Sequence, residues 1–183
     1  FMKGEKIEVS IQEMDQPDVL LWAIWCIQQY GKFVGMDSCV EKYNALVRDV
    51  MLWILGNNHP NLKVMENKLV YSEGRDKAIT WMNSTANGRP IVPRTGYIVE
   101  FNALWYNAIK FSIDLCTHTG DAKNVKMLSE LAEQVSKSFV VLMTQSRMAE
   151  LRRVSNAYMD DALTRTEEAM AQAIETLTSR IDR

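Results

Sequence analysis

With 183 residues the chain is long enough to bury one sizeable core, and its 47% hydrophobic and 24% charged content is ordinary for a water-soluble globular protein. A formal charge of −2 gives no electrostatic basis for nucleic acid or an anionic membrane as partner. No apolar run reaches bilayer-spanning length, no basic start with a cleavage site marks a signal peptide, and three scattered cysteines fit reduced thiols, so a cytoplasmic location is expected.

Residues 1–15 alternate weakly at Ile7, Val9 and Ile11, which predicts an extended entry segment. Asp15-Gln16-Pro17-Asp18 then reads as a helix start, with proline near the first turn and acids at the positive end of the dipole. The helix from Val19 to Phe33 is apolar nearly all round, the pattern of a buried helix, and Gly31 and Gly35 bracket its end. A second helix is predicted over Ser38–Leu55 from Val40, Tyr43, Val47, Val50, Met51 and Ile54, stopped by Gly56-Asn57-Asn58-His59-Pro60. The stretch LKVMENKLVY reads as a hairpin turning at Glu66-Asn67.

From Tyr71 to about Tyr97 the chain is too rich in glycine and proline for a helix and too aromatic for a flexible linker. Connections of this length inside compact domains are uncommon unless they build a site. A third helix is predicted from Glu100 to about His118, ending at Gly120. A fourth starts with Asp121 as N-cap and turns Val125, Leu128, Ala132, Val135 and Phe139 inward.

The composition then changes. Residues 145–183 hold six arginines and no lysine, against four arginines and eleven lysines in residues 1–144. Met159, Leu163, Thr166, Met170, Ile174, Leu177 and Ile181 repeat with an 11-residue period, which predicts one long amphipathic helix. The division expected is residues 1–142 and a helical tail, 143–183. His59 and His118 are far apart with no cysteine or acidic cluster beside them, so no metal site is expected.

The run TWMNSTANGRPIVPRTGYIVEFNALWYNA resembles the signature region of the amylo-α-1,6-glucosidase domain of glycogen debranching enzymes. That family carries T-W-M-D, a short loop, T-P-R-x-G, and V-E-I-x-A-L-W-Y-N-A opening a helix. Here Thr80-Trp81-Met82 matches the first part, Val92-Pro93-Arg94-Thr95-Gly96 nearly matches the second, and Val99 to Ala108 closely matches the third. Upstream, Asp18-Val-Leu-Leu-Trp22 with Gln28-Gln29-Tyr30 resembles the family's D-x-x-L-W…Q-Q-Y helix. The resemblance extends over about residues 15–139. It implies an all-α fold of antiparallel helices, part of an (α/α)6 toroid, with residues 1–142 as a partial toroid carrying a long site-bearing loop.

The implied activity is hydrolysis of an α-1,6-linked glucose from an α-glucan with inversion, requiring no cofactor. Such hydrolysis needs one carboxyl group to protonate the leaving oxygen and a second to activate water. The family's acid is the Asp of W-M-D, and that position is Asn83, whose amide has no useful proton to give. The family's base lies well beyond the W-Y-N-A helix. Glu73, Asp76 and Glu100 are the carboxyl groups near enough in sequence to replace the acid. Sugar rings stack on aromatic faces and take directed hydrogen bonds from amides, carboxylates and guanidinium groups. The substrate-binding residues implied are therefore Asp18, Trp22, Asp76, Trp81, Arg94, Asn102 and Trp105, with Trp81 and Trp105 lining a pocket. Glu100 and Asp18 read equally as ordinary acids at helix starts, and Arg94 as a structural clamp. Two readings stay open: an α-1,6-glucosidase domain, and a non-catalytic carbohydrate-binding or structural helical domain.

Overall fold

Four helices carry most of the chain in the computed structural model, which describes residues 16–74 and 77–181. The order is α1 (Asp18–Val34), α2 (Met36–Leu55), β1 (Leu62–Val64), β2 (Val70–Ser72), β3 (Thr85–Ala86), β4 (Arg89–Pro90), α3 (Val99–His118) and α4 (Ala122–Ile181). The architecture is thus mostly helical with a few short strands, in the class the sequence predicts. The extended segment expected over residues 1–15 lies outside the described residues.

Helices α1 and α2 are joined by a single residue, Gly35, at φ 97°, a conformation that favours glycine. Gly31 lets the two helices close on each other. A Cβ at that position would sit 2.9 Å from Cys39 Sγ, and the Cys39 thiol itself points back to the Ile27 carbonyl at 3.7 Å. Helix α1 is not buried all round, as its composition suggested. Leu20, Leu21 and Ile24 enter the core, but Trp22 and Trp25 are each 39% exposed and Phe33 is 91% exposed. Only the face against α2 and α3 is covered.

The element buried most thoroughly is α3, which packs on both α1 and α2. Phe101, Trp105, Ala108, Ile109, Phe111 and Leu115 are all at or near zero exposure, at helical spacing. The β1–β2 hairpin lies beside it with Leu62 opposite Ser72 and Val64 opposite Val70. Its turn closes by a Lys68 N–H to Met65 carbonyl bond of 2.8 Å, with Lys68 left-handed at φ 66°. That is the geometry of a three-residue hairpin loop. Asn57, just past α2, brackets β1 with its side chain, Oδ1 accepting the Val64 N–H at 2.6 Å and Nδ2 donating to the Val64 carbonyl.

Helix α4 begins as the sequence predicts: Asp121 accepts from the Asn124 N–H at 3.2 Å and from its side-chain amide at 2.6 Å. It then runs as one helix to Ile181, with no interruption near residue 142. The chain forms two compact units that divide between Phe139 and Val140. In the first, Leu128, Ala132 and Val135 of α4 are buried. In the second, Arg153 pairs with Glu150 and Arg165 with Asp161 along the helix surface. The side chains of the Met159–Ile181 stripe lie outside the described residues. Among the described residues no helix is long and apolar enough to cross a membrane.

Candidate functional site

The segment between β2 and α3 is held at both ends by short backbone pairings. Ser72 and Gly96 exchange N–H to carbonyl bonds of 2.9 and 3.0 Å, so the Val92–Gly96 loop runs antiparallel to the edge of β2. The Ser72 hydroxyl also donates to the Arg94 carbonyl at 2.8 Å. Gly96 stands at φ 110°, which a side chain would strain. Between these ends lies a second hairpin, β3 against β4, with Thr85 opposite Pro90 and Ala86 opposite Arg89. Its tip is Asn87-Gly88, at φ 52° and 75°, the mirror-image turn that two-residue hairpins favour. The sequence reading passed over this hairpin, although Asn-Gly is a strong short-range signal for one.

The residues just before this hairpin are pinned. Thr80 is fully buried, and its hydroxyl accepts the Met82 N–H at 3.1 Å. The Trp81 N–H donates to Asp18 Oδ2 at 2.8 Å, linking the loop to the first turn of α1 across 63 residues of sequence. Arg94 approaches from the other side. Its Nη1 lies 3.2 Å from Met82 Sδ, and its guanidinium pairs with the carboxylate of Glu100 in the first turn of α3. Asp18, Trp81, Met82, Arg94 and Glu100 therefore form one connected set spanning the starts of two helices and the loop between them. Asn83 follows immediately. Its far side is also fixed, since the Ser84 carbonyl accepts the Ile91 N–H at 3.0 Å.

Exposure separates the expected site residues into two groups. Trp81 is 62% exposed, Asn83 and Glu73 are exposed, and so is Trp22, one turn after Asp18. The Trp22 ring stands edge-on to Trp25, with centroids 5.8 Å apart, and the sequence reading had not singled out Trp25. Asn102 and Trp105 face inward instead. Trp105 has no exposed surface, and its indole N–H donates to the Lys68 carbonyl at 3.0 Å. Asn102 spends its amide on Val70 and Ile98. The pocket expected between Trp81 and Trp105 is not what the rings form: one lies in the core and the other on the surface. Helical spacing explains this, since residues 101, 102, 104, 105, 108 and 109 share the covered face of α3.

The carboxyl groups differ in the same way. Asp18 is buried, Glu100 is occupied by Arg94, and Glu73 is exposed with its backbone N–H donated to the Asn61 carbonyl at 3.1 Å. Asp76 lies outside the described residues. Among the described residues no group of three or more His, Cys, Asp and Glu is arranged to hold a metal ion. Chemically, the exposed part of the loop offers an aromatic face at Trp81 and an adjoining amide at Asn83, groups that can bind a sugar.

In comparisons with known proteins, the model of the family described as amylo-alpha-1,6-glucosidase matches residues 11–180. The match takes in both helix starts and the whole loop, and continues beyond Phe139, where the resemblance quoted from the sequence stops. No curated protein and no solved structure gives a significant match.

Proposed function

The chain belongs to the amylo-alpha-1,6-glucosidase family, and from that premise we propose that it forms part of a glycogen-debranching-like glycoside hydrolase domain that takes α-1,6-branched glucans. The helices supply part of an (α/α) toroid, and the pinned Thr80–Asn83 loop presents the sugar-binding face. The observation that carries this reading is that the family's signature residues, distant in sequence, form one bonded set: Asp18 with Trp81, Met82 with Arg94, and Arg94 with Glu100. Trp81 offers its ring to the sugar, while Arg94 and Glu100 fix the far side of the loop. The reaction requires no organic cofactor and no metal. It transfers a proton to the glycosidic oxygen as water attacks the anomeric carbon. The cytoplasmic location expected from the sequence goes with this reading.

Asn83 supports a second reading, a carbohydrate-binding domain with little or no turnover. An exposed amide at the acid's position can hydrogen-bond a sugar hydroxyl but cannot supply a proton. Both readings require sugar binding at Trp81, so that binding is the first test. Titrating the protein with maltohexaose should quench tryptophan fluorescence, and Trp81→Ala should remove most of the response. A folded protein that shows no response at millimolar sugar would exclude both.

A further inference from the structure

We infer that Asp18 is a positioning residue, which sets the place of the Trp81 ring through the Trp81 backbone and not through contact with a ligand. The inference deepens the glucan-binding reading above and rests on it for the identity of the ligand. Asp18 is 2% exposed, so a sugar at the surface does not reach its carboxylate. Oδ2 is taken by the Trp81 N–H at 2.8 Å. Oδ1 is buried and has no hydrogen-bond partner among the described residues.

A buried carboxylate with one oxygen unpartnered among the described residues is a poor way to stabilise a fold, because burial of that oxygen carries its own desolvation cost. The bond it makes to the Trp81 N–H is charge-assisted and directional, which suits a fixed anchor. The anchor is well placed. Pro17 and the first turn of α1 make its base rigid, and α1 is held in the core by Leu20, Leu21 and Ile24. Trp81 is the middle residue of a three-residue span whose neighbours are also tied, Thr80 by burial and Met82 by the Thr80 hydroxyl and Arg94. With both neighbours fixed, release of the Trp81 N–H would leave the backbone of Trp81 and its exposed indole as the part of this span free to shift. Binding constellations lose function when their members shift by about 0.5 Å or more.

The test uses Asp18→Asn and Asp18→Ala beside the unaltered protein, with three readouts: backbone amide exchange by NMR, affinity for maltohexaose, and melting temperature. Asn keeps the shape and an acceptor for the Trp81 N–H but weakens the bond by removing the charge, and it guards against a failure of the alanine variant to fold. In Asp18→Ala the Trp81 amide should exchange about tenfold faster or more, relative to the Ile109 amide in the core of α3, and maltohexaose affinity should fall by about tenfold. Asp18→Asn should fall between on both readouts while its melting temperature stays unchanged or rises. An unchanged Trp81 to Ile109 exchange ratio would overturn the inference. So would faster exchange with full sugar affinity, or an affinity loss that merely follows the melting temperature. If the unaltered protein binds no maltohexaose, the glucan reading fails on that result alone, and the exchange ratio still decides whether Asp18 holds the loop.

Discussion

The side chain of Asn102 serves Val70 as a substitute strand. Its Oδ1 accepts the Val70 N–H at 2.8 Å and its Nδ2 donates to the Val70 carbonyl at 3.0 Å, so one amide satisfies both backbone groups on the open edge of β2. The same Nδ2 reaches the Ile98 carbonyl at 3.1 Å, at the N-terminus of α3. All of this happens at 1% exposure. An asparagine among the residues that resemble a sugar-binding signature thus joins helix to hairpin, at a point where, among the described residues, no strand pairs with the outer edge of β2.

Replacing Asn102 by Ala or Leu should therefore damage the fold more than any sugar site. Two buried backbone groups lose their partners, which costs about 2–6 kcal/mol in all. The urea midpoint should drop accordingly, and the hairpin amides of Val70 and its neighbours should lose exchange protection. Retained stability with loss of sugar binding would mean that Asn102 acts on the ligand after all.

Gly31→Ala should separate α1 from α2. The new methyl would meet Cys39 Sγ at 2.9 Å and Cys39 Cβ at 3.1 Å. Overpacking of this kind costs about 1–3 kcal/mol, more than the roughly 0.5–1 kcal/mol that alanine gains over glycine within a helix. Adding Cys39→Ala removes the nearer atom and should recover part of the loss, so thermal melts of the single and double variants form a double-mutant cycle. Additive effects would show that the two positions do not meet.

Much of the helical frame was legible because its signals are local. The 3.6-residue repeat of Val40, Val47, Met51 and Ile54 located α2, Asp121 marked the start of α4, and Glu66-Asn67 marked the β1–β2 turn. What the sequence does not encode locally is the coverage of each face. The Val19–Phe33 segment carries enough apolar residues to be buried all round, yet α2 and α3 cover only one side and leave Trp22, Trp25 and Phe33 exposed. The candidate site shows the same limit. Trp81 and Trp105 look equivalent as sequence, but a loop position and an inward helix position give their rings opposite surroundings. The tie from Asp18 to Trp81 has no local signal at all, since 63 residues separate its partners.

The three cysteines should react in the order of their surroundings. Cys26 is exposed, Cys116 is partly covered, and Cys39 is buried with its thiol directed at the Ile27 carbonyl. Burial pushes the Cys39 thiol above its ordinary pKa, and burial together with the nearby Asp121 carboxylate does the same for Cys116. A raised thiol pKa means less thiolate at a given pH, so both should label more slowly than Cys26 near pH 7.5. Their thiolate fractions still climb at pH values where an unperturbed thiol is mostly ionised, so alkaline pH should narrow the gap for Cys116. Cys39 should stay slow in the folded protein because access limits it as well. Mass spectrometry after timed maleimide labelling resolves the three sites. Early labelling of Cys39 would contradict the close contact of α1 with α2.

Turnover should be weak with Asn83 in place, and Asn83→Asp is the substitution that tests why. Asparagine and aspartate are close in size, and position 83 is held on both sides, by the Thr80 to Met82 bond before it and the Ser84 to Ile91 bond after it. The new carboxyl group should therefore appear where the amide now stands, without remodelling the loop. General acid catalysis is worth about 10²–10⁴-fold, so a gain of that order is expected in hydrolysis of an α-1,6-branched limit dextrin. A substrate with a good leaving group, α-glucosyl fluoride, needs little acid help. On it the two forms should differ far less, because both depend on the same water-activating base. The assays belong in the full natural chain. A large gain on dextrin with near equality on the fluoride would identify position 83 as the proton donor's place. Full activity with Asn83 unaltered would instead move the donor elsewhere, to Glu73, Asp76 or Glu100, and Glu100 would then have to leave Arg94 before it could act.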